Sequence, residues 1–257
     1  MHIKFMHIKF NPSKCHVLSL GRFENIKHTH RYSIYGAELE HVFEEKDLGV
    51  LIDAELSFDD HIALKVKKAN AMVGIIRRSF SFLNCDLFKT LYTSFVRPHL
   101  EYAQVVWSPH LKKNINLVEN VQVRATKLID GLHELNYRDR LIKLNMPTLA
   151  HRRVRGAMIE MYKHFNKYDN ETLSGSFQPR QRTTRAHNRQ IYERIPKDGS
   201  RGIQTNSYYY RYSRTWNNLP SDVVNAKSVN SFKNKLDKLW ENEPSKYDHL
   251  AQQQSDS

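Results

Sequence analysis

Hydrophobic and polar positions alternate through the first part of the chain. Apolar residues stand at or near every second position in four short segments, at residues 3–10, 16–20, 32–35 and 48–52. This period is typical of strands with one buried face. Turn-forming residues separate the segments at Asn11-Pro12, Gly21 and Gly36. The pattern predicts three or four short antiparallel strands within residues 1–56.

The spacing of apolar residues changes to a helical period after Ser57. From Ile62 to Phe80, apolar residues recur at every third or fourth position, as they do on the buried face of a helix. Ser57 is the predicted N-cap, and Asp59 and Asp60 would lie in the first turn, where acidic side chains favour the positive end of the helix dipole. The pattern predicts a helix that ends near residue 80.

Four further helices are predicted downstream, at residues 84–97, 114–130, 135–144 and 147–165. The first of these is expected to stop before Pro98, because proline disfavours helical backbone at the preceding residue. The predicted fold class is therefore α+β and predominantly α, with short antiparallel strands at the N-terminus followed by a helical bundle.

Composition changes again after Asn166. Residues 167–206 are rich in Asn, Thr, Ser, Gln and Arg without a sustained period, which indicates a basic flexible linker. Aromatic residues and a helix capped by Ser228 follow in residues 207–243. The chain is thus divided into five segments, at residues 1–56, 57–166, 167–206, 207–243 and a polar tail at 244–257 that is predicted to be disordered.

The charge balance indicates a polyanionic partner. The formal net charge is +13 and the isoelectric point is about 9.6. Lys and Arg neutralise phosphates and release their counterions, but composition alone does not choose between RNA, DNA and an anionic membrane. No apolar run approaches the ~18 residues that a spanning helix needs, so a soluble, intracellular protein with no membrane partner is expected.

Basic residues decorate three of the predicted helices while each helix keeps an apolar stripe. The segment from Lys65 to Arg78 contains no acidic residue. The alternative to phosphate binding is a solvated face that confers solubility, and such a face usually mixes charge signs. The predicted nucleic-acid-binding residues are Lys65, Lys68, Arg77, Arg78, Lys112, Lys113, Arg124, Lys127, Arg152, Arg153 and Arg155.

No catalytic or metal-binding site is predicted in this chain. Two-metal polymerase chemistry needs a cluster of carboxylates, and the nearest candidate is Asp59-Asp60. That pair lacks flanking strand residues and stands where a helix begins, so it is interpreted as a helix cap. His28 and His30 have no Cys or carboxylate framework near them in sequence and are interpreted as non-ligating.

Several short motifs together resemble a known family. They are NPSKC at 11–15, KDLGVLID at 46–53, VRPHLEYA at 96–103, VWSP at 106–109, VQVRATK at 121–127 and WNNLP at 216–220. Over residues 10–243 the chain resembles the downstream part of the reverse transcriptase of LINE-type, non-LTR retrotransposons, in the jockey-like group.

The resemblance implies an RNA-directed DNA polymerase whose remaining palm strands lie in residues 1–56 and whose helical thumb lies in residues 57–166. The complete family enzyme uses magnesium held by an aromatic-Ala-Asp-Asp turn upstream of the NPSKC motif, and this sequence contains no such turn. We therefore expect a fragment that is inactive alone, holds no cofactor, and binds RNA, DNA or an RNA–DNA hybrid, together with the remaining parts of the polymerase.

The resemblance also implies roles for individual residues. Lys14 corresponds to a lysine of palm motif D that acts on the phosphates of the incoming nucleotide, and the alternative is an exposed lysine in a turn. Leu48, Gly49 and Val50 correspond to the primer-grip hairpin, and the alternative is a buried strand with a bulge.

Two further alternatives stay open at this stage. The aromatic residues from Tyr208 to Trp216 either stack on unpaired bases or pack in a core. The whole chain is either a polymerase fragment, a stand-alone or co-opted basic helical nucleic-acid-binding protein, or an unselected relic of a gene model.

Overall fold

The computed structural model describes residues 9–21, 30–167, 187, 189–191 and 207–251. The chain divides into two compact units, residues 1–61 and residues 62–257. Short strands occupy the first unit and helices the second. The predicted fold class, α+β and predominantly α, is confirmed.

The described residues of the first unit form six short strands: β1 (His16–Leu18), β2 (Ser33–Ile34), β3 (Ala37–Glu38), β4 (Glu40–Val42), β5 (Glu44–Asp47) and β6 (Val50–Asp53). β2 pairs with β3 and β5 with β6, both antiparallel as predicted. β1 pairs with β4 in parallel, which differs from the prediction. A parallel pair needs a connection of roughly a dozen residues or more, and the separation of β1 from β4 in sequence meets this requirement.

A two-residue turn joins β5 to β6. Leu48 and Gly49 form the turn with φ of 44° and 84°, the left-handed backbone that tight hairpins require. The pairing runs without interruption from Glu44–Asp53 to Asp47–Val50, so the segment contains no bulge. Only Val50 of the three predicted primer-grip residues is buried, and Leu48 exposes 82% of its surface at the tip.

The turn before the first long helix is organised by Asp53. Its carboxylate accepts the backbone N–H groups of Ser57 at 2.9 Å and Phe58 at 2.7 Å. Helix α1 (Asp59–Ser79) therefore begins two residues after the predicted cap, and Ser57 Oγ accepts the N–H of Asp59 at 3.3 Å. Asp59 and Asp60 lie in the first turn, as the cap interpretation requires.

The second unit continues with α2 (Cys85–Leu91), α3 (Arg97–Glu101), α4 (Gln104–Trp107), α5 (Lys112–Ala125), α6 (Tyr137–Leu144), α7 (Leu149–Lys167), α8 (Tyr208–Asn217), α9 (Ser221–Val224) and α10 (Val229–Leu239). A wide π-type turn, Tyr92–Val96, links α2 to α3. The predicted stop before Pro98 is wrong. The backbone N–H of Arg97 bonds the carbonyl of Tyr92, and Pro98 then occupies the start of α3, where no helical N–H is needed.

Helix α7 lies at the centre of the second unit. It packs against α4, α5, α8 and α10. Its Tyr162 ring stacks on Phe232 with centroids 4.4 Å apart, and Phe165 stacks on Trp216 at 5.1 Å. Tyr212 and Trp216 are buried in the same cluster, whereas Tyr208 and Tyr209 are half-buried against it. The packing interpretation therefore holds for these aromatic residues, and segment 207–243 shares a core with α7.

Residues 244–251 differ from the predicted disordered tail. Pro244–Lys246 forms a helical turn, and the carbonyl of Lys246 accepts the backbone N–H of Thr148 at 2.9 Å. Thr148 Oγ1 donates to the carbonyl of Ser245 at 2.8 Å. Thr148 stands at the start of α7, where the first N–H groups have no partner within the helix, and the tail accepts the one that belongs to Thr148. Residues 252–257 and nearly all of the predicted linker 167–206 lie outside the described residues.

Candidate nucleic-acid interface

The predicted basic residues of α1 remain at the surface. Lys68, Arg77 and Arg78 are exposed, while the apolar residues Ile62, Val66, Ala69 and Ile76 of the same helix are buried. Among the described residues, Lys68, Arg77 and Arg78 form no ion pair. Because a helix rises 1.5 Å per residue, Lys65 and Arg78 stand about 20 Å apart along the axis. The exposed basic residues are therefore spread over a length of helix that can accommodate several phosphates.

Lys65 and Lys68 adjoin two residues of the α3 region. The Lys65 ammonium lies 5.4 Å from the centroid of the Tyr102 ring. Tyr102 exposes 53% of its surface to solvent. Burial lowers the pKa of His99, and the charges of Lys65 and Lys68 lower it further. We call Lys65, Lys68, His99 and Tyr102 the α1–α3 cluster. Sequence reasoning named its two lysines and missed His99 and Tyr102, although both belong to the VRPHLEYA motif.

The backbone around Tyr102 explains how an aromatic ring comes to be exposed there. α3 ends at Glu101, and Ala103 adopts a left-handed conformation with φ of 51°, so the chain turns sharply. The carbonyl of Tyr102 accepts the indole N–H of Trp107 at 2.7 Å, and Trp107 is fully buried. A buried indole thus anchors the backbone of Tyr102 and leaves its ring at the surface.

A second basic stripe runs along α5. Lys113 and Arg124, together with Lys127 in the turn that follows the helix, are exposed. Their spacings of eleven and three residues place them on one side of the helix. Lys112 is also exposed, at the first position of α5. The four predicted residues of this region are therefore accessible, and their contact with nucleic acid stays a prediction.

The predicted basic cluster of α7 is not a free surface. Arg152 makes a two-bond ion pair with Glu101 of α3, from Nε to Oε1 and from Nη2 to Oε2, the latter at 3.0 Å. Arg155 makes the same arrangement with Asp237 of α10, at 2.5 and 2.8 Å. Arg153 is only 5% exposed. The prediction that these three arginines face solvent is wrong, because α7 is covered on several sides rather than along one stripe.

Buried polar groups hold the start of α7. Glu119 of α5 is fully buried, and its carboxylate accepts the backbone N–H groups of Leu149 and Ala150, each at 3.1 Å. The same carboxylate accepts the Tyr137 hydroxyl at 2.5 Å. Burial raises the pKa of that hydroxyl, and the charge of Glu119 raises it further. Glu119 lies next to the VQVRATK motif and serves the fold, a role that its sequence context did not reveal.

The WNNLP motif also has a structural role. The Asn217 amide accepts the backbone N–H of Ile191 and donates to its carbonyl, both at 2.8 Å, as a neighbouring strand would. The indole N–H of Trp216 donates to the carbonyl of Arg189 at 2.8 Å. This motif therefore binds residues 189–191 to the end of α8 through hydrogen bonds. The sequence alone did not show that role.

Lys14 and the β5–β6 hairpin belong to the first unit. Lys14 is exposed at the end of a short helical turn, Pro12–Lys14, capped by Asn11, whose side chain accepts the N–H of Ser13 at 3.1 Å. An exposed turn lysine fits both interpretations given above. The motif D role of Lys14 and the primer-grip role of Leu48, Gly49 and Val50 stay predictions.

Two further features of the described ranges concern metal ions and membranes. Within residues 9–21, 30–167, 187, 189–191 and 207–251, no group of three or more His, Cys, Asp or Glu side chains is arranged to hold a metal ion. Likewise, none of the helices described for this chain combines the length and the apolar character needed to cross a membrane.

Comparison with known proteins provides one partial relative. No protein-family model matches the chain, and no solved structure matches it. A stretch of 111 residues is 30% identical to a Caenorhabditis elegans protein named "Uncharacterized protein B0403.1". The match covers 42% of this chain and 56% of that protein, so the chain spans little more than half the length of this relative. The relative's name states no activity.

Proposed function

We propose that this chain is the end of the palm, the helical thumb and the C-terminal extension of a non-LTR reverse transcriptase, and that it binds RNA, DNA or an RNA–DNA hybrid through phosphates. The motifs that resemble this family support the proposed origin of the chain from such a reverse transcriptase. The basic surfaces of α1 and α5 supply the binding activity, because exposed Lys and Arg side chains are the usual partners of phosphate oxygens.

One observation carries the binding proposal. Lys68, Arg77 and Arg78 are exposed on a helix segment without a single acid, and within the described residues none of them is neutralised by an ion pair. Arg152 and Arg155, by contrast, already hold carboxylates. Only the first group is available to a polyanion without breaking an existing pair.

The proposed fragment has no polymerase activity of its own. Asp59 and Asp60 belong to the first turn of α1, and the sequence contains no aromatic-Ala-Asp-Asp turn. Two-metal chemistry needs converging carboxylates to place both ions. The magnesium chemistry of the family would therefore reside in the remaining parts of the polymerase, which this proposal counts among the partners of the chain.

The salt dependence of binding tests the proposal. Affinity for a labelled RNA–DNA hybrid is measured by fluorescence anisotropy from about 50 to about 200 mM salt, for the wild type and for the triple variant Lys68→Gln, Arg77→Gln, Arg78→Gln. Each lost phosphate contact should reduce the slope of log affinity against log salt by roughly 0.7 to 0.9. The variant should weaken binding to all sequences alike.

A matched control separates local contact from net charge. The triple variant Lys143→Gln, Lys227→Gln, Lys238→Gln removes the same charge from exposed residues of α6, the loop before α10, and α10. It should leave the slope nearly unchanged. Equal slopes for both triple variants would show that binding follows net charge and that the α1 surface is not an interface.

A stand-alone nucleic-acid-binding protein is the second candidate function, favoured by the compact core of residues 62–257. Both candidates predict the same binding result. The genomic DNA upstream of the Met1 codon separates them, because an in-frame aromatic-Ala-Asp-Asp sequence there supports the polymerase and its absence supports the stand-alone protein.

A further inference from the structure

The α1–α3 cluster combines two kinds of chemistry that a basic helix surface alone does not. Lys65 and Lys68 supply positive charge, and Tyr102 supplies an exposed aromatic ring with the Lys65 ammonium 5.4 Å from its centroid. Burial lowers the pKa of His99, and the charges of Lys65 and Lys68 lower it further. A phosphate needs only the charges, whereas an exposed ring offers a stacking surface for a base.

We propose that the α1–α3 cluster binds one unpaired nucleotide, whose base stacks on Tyr102 and whose phosphate is held by Lys65, Lys68 and His99. The proposal rests on the nucleic-acid binding proposed above and specifies a single-stranded ligand for one part of the surface. Bases in a duplex are already stacked on each other, so Tyr102 can contribute only where a base is unpaired.

The hydrogen bond that anchors the backbone at Tyr102 does not involve the tyrosine side chain. The anchor of this segment is the bond from the Trp107 indole to the Tyr102 carbonyl, which any residue at position 102 can accept. The Tyr102 residue leaves over half of its surface in contact with solvent, where a base can reach the ring.

His99 adds a pH dependence to the proposed site. The charged groups that act on it are Lys65 and Lys68 of α1, and with burial they lower its pKa when the site is empty. A bound phosphate would oppose both lysines and raise the pKa of His99, so binding takes up a proton. The additional affinity is then fully present below the pKa of the empty site and is lost as the pH rises through the pKa of the bound site.

The test compares Tyr102→Ala with wild type on two probes, a labelled oligothymidylate of about 12 nucleotides and a duplex of the same length. Stacking loss should weaken binding to the single strand about 5- to 150-fold. Duplex affinity should stay within about 2-fold, because the phosphate contacts remain. Tyr102→Phe retains the ring and should bind the single strand as wild type does.

Phe82→Ala is the matched control. Phe82 is another exposed aromatic residue, 64% accessible, and it follows the C-terminal end of α1, whose last residue, Ser79, lies about 21 Å from Lys65 along the helix axis. This variant should bind both probes as wild type does. A similar loss in Phe82→Ala and Tyr102→Ala would overturn the assignment of stacking to Tyr102, as would an equal loss of duplex and single-strand binding in Tyr102→Ala.

The pH arm uses His99→Gln and the same single-stranded probe. Wild-type affinity should rise as the pH is lowered from about 8 to about 5, and the rise should be smaller in His99→Gln. An identical pH profile in both proteins removes His99 from the site.

If wild type binds the duplex but Tyr102→Ala binds the oligothymidylate as wild type does, this inference fails while the proposed function stands. If wild type binds neither probe at low salt, both fail.

Discussion

Helices α1 and α7 are equally basic in sequence and use their basic residues in opposite ways. On α1, Lys68, Arg77 and Arg78 remain exposed. On α7, Arg152 and Arg155 bind carboxylates of neighbouring helices, and Arg153 is buried. The difference follows from position, because α7 packs against four other helices and has few directions left in which a side chain reaches water.

A basic helix indicates a binding surface only when its surroundings are known. Long basic side chains on a central helix cross the interface to the next helix and neutralise acids there. Glu101 and Asp237 are the acids that α7 needs, and they lie 51 and 82 residues away from their partners in sequence. No local pattern around Arg152 or Arg155 points to them.

The largest effect is expected from removing the buried acid beside α7. Glu119→Ala leaves the N–H groups of Leu149 and Ala150 and the Tyr137 hydroxyl without their acceptor. It also removes a negative charge that acts on buried Arg153. The free energy of unfolding should fall by about 3 to 5 kcal/mol.

Urea unfolding followed by circular dichroism measures this change. Glu134→Ala is the control, because the Glu134 side chain is 88% exposed, and it should change stability by no more than about 0.5 kcal/mol. If Glu119→Ala were as stable as this control, the buried polar groups of α7 would not depend on Glu119. The explanation that α7 uses its charges to hold the fold would then be wrong.

Single substitutions of arginine are expected to have smaller effects. On α7 they should lower stability, and on α1 they should weaken nucleic-acid binding. Arg152→Gln breaks a half-buried two-bond pair with Glu101 and should reduce the free energy of unfolding by about 1 to 2 kcal/mol, with nucleic-acid affinity unchanged. Arg78→Gln should change stability by less than about 0.5 kcal/mol and weaken binding.

The two variants together test the comparison directly, with urea unfolding for stability and fluorescence anisotropy for binding. Arg152→Gln that loses affinity while keeping its stability would move α7 into the interface. Arg78→Gln that loses stability but not affinity would remove α1 from it.

Local patterns predicted the helices well and their environment poorly. The apolar spacing of α1 correctly identified Ile62, Val66 and Ala69 as buried, because that pattern depends only on neighbours within one helix. The turn at Tyr92–Val96, which carries the helix past Pro98, depends on a hydrogen bond that no propensity describes. The environment of each helix depends on its position in the folded chain, which the local sequence pattern does not contain.

The candidate site shows the same division. Lys65 and Lys68 were predicted from an acid-free run of sequence, whereas Tyr102 and His99 join them only through the packing of α3 beside α1. The three arginines of α7 were predicted as a basic cluster on a helix with an apolar stripe, and the partners of Arg152 and Arg155, Glu101 and Asp237, are too distant in sequence for that pattern to show them. Residues close in space and distant along the chain account for both the omission and the error.

The smallest predicted effect concerns the more exposed ion pair of α7. The hydrogen bond from Arg155 holds the pKa of Asp237 below its usual range, although burial opposes that shift. A depressed pKa in the folded state means that the pair stabilises the fold at pH values above the ordinary pKa of aspartate, about 4. That stabilisation is lost as the pH falls through the lower pKa of the folded protein.

Wild type and Asp237→Asn should therefore differ in a pH-dependent way. Because the Asp237 side chain is half exposed, solvent screening limits the difference to at most about 1 kcal/mol at pH near 6. Urea unfolding at pH values from about 6 to about 2 should show the difference shrinking below about pH 4. Asp222→Asn is the control, since its lysine partner is farther away, at 3.6 Å. A difference that stays constant with pH would show that Arg155 and Asp237 interact by packing rather than by charge. In that case Arg155 would not be neutralised within the fold, and α7 would differ less from α1.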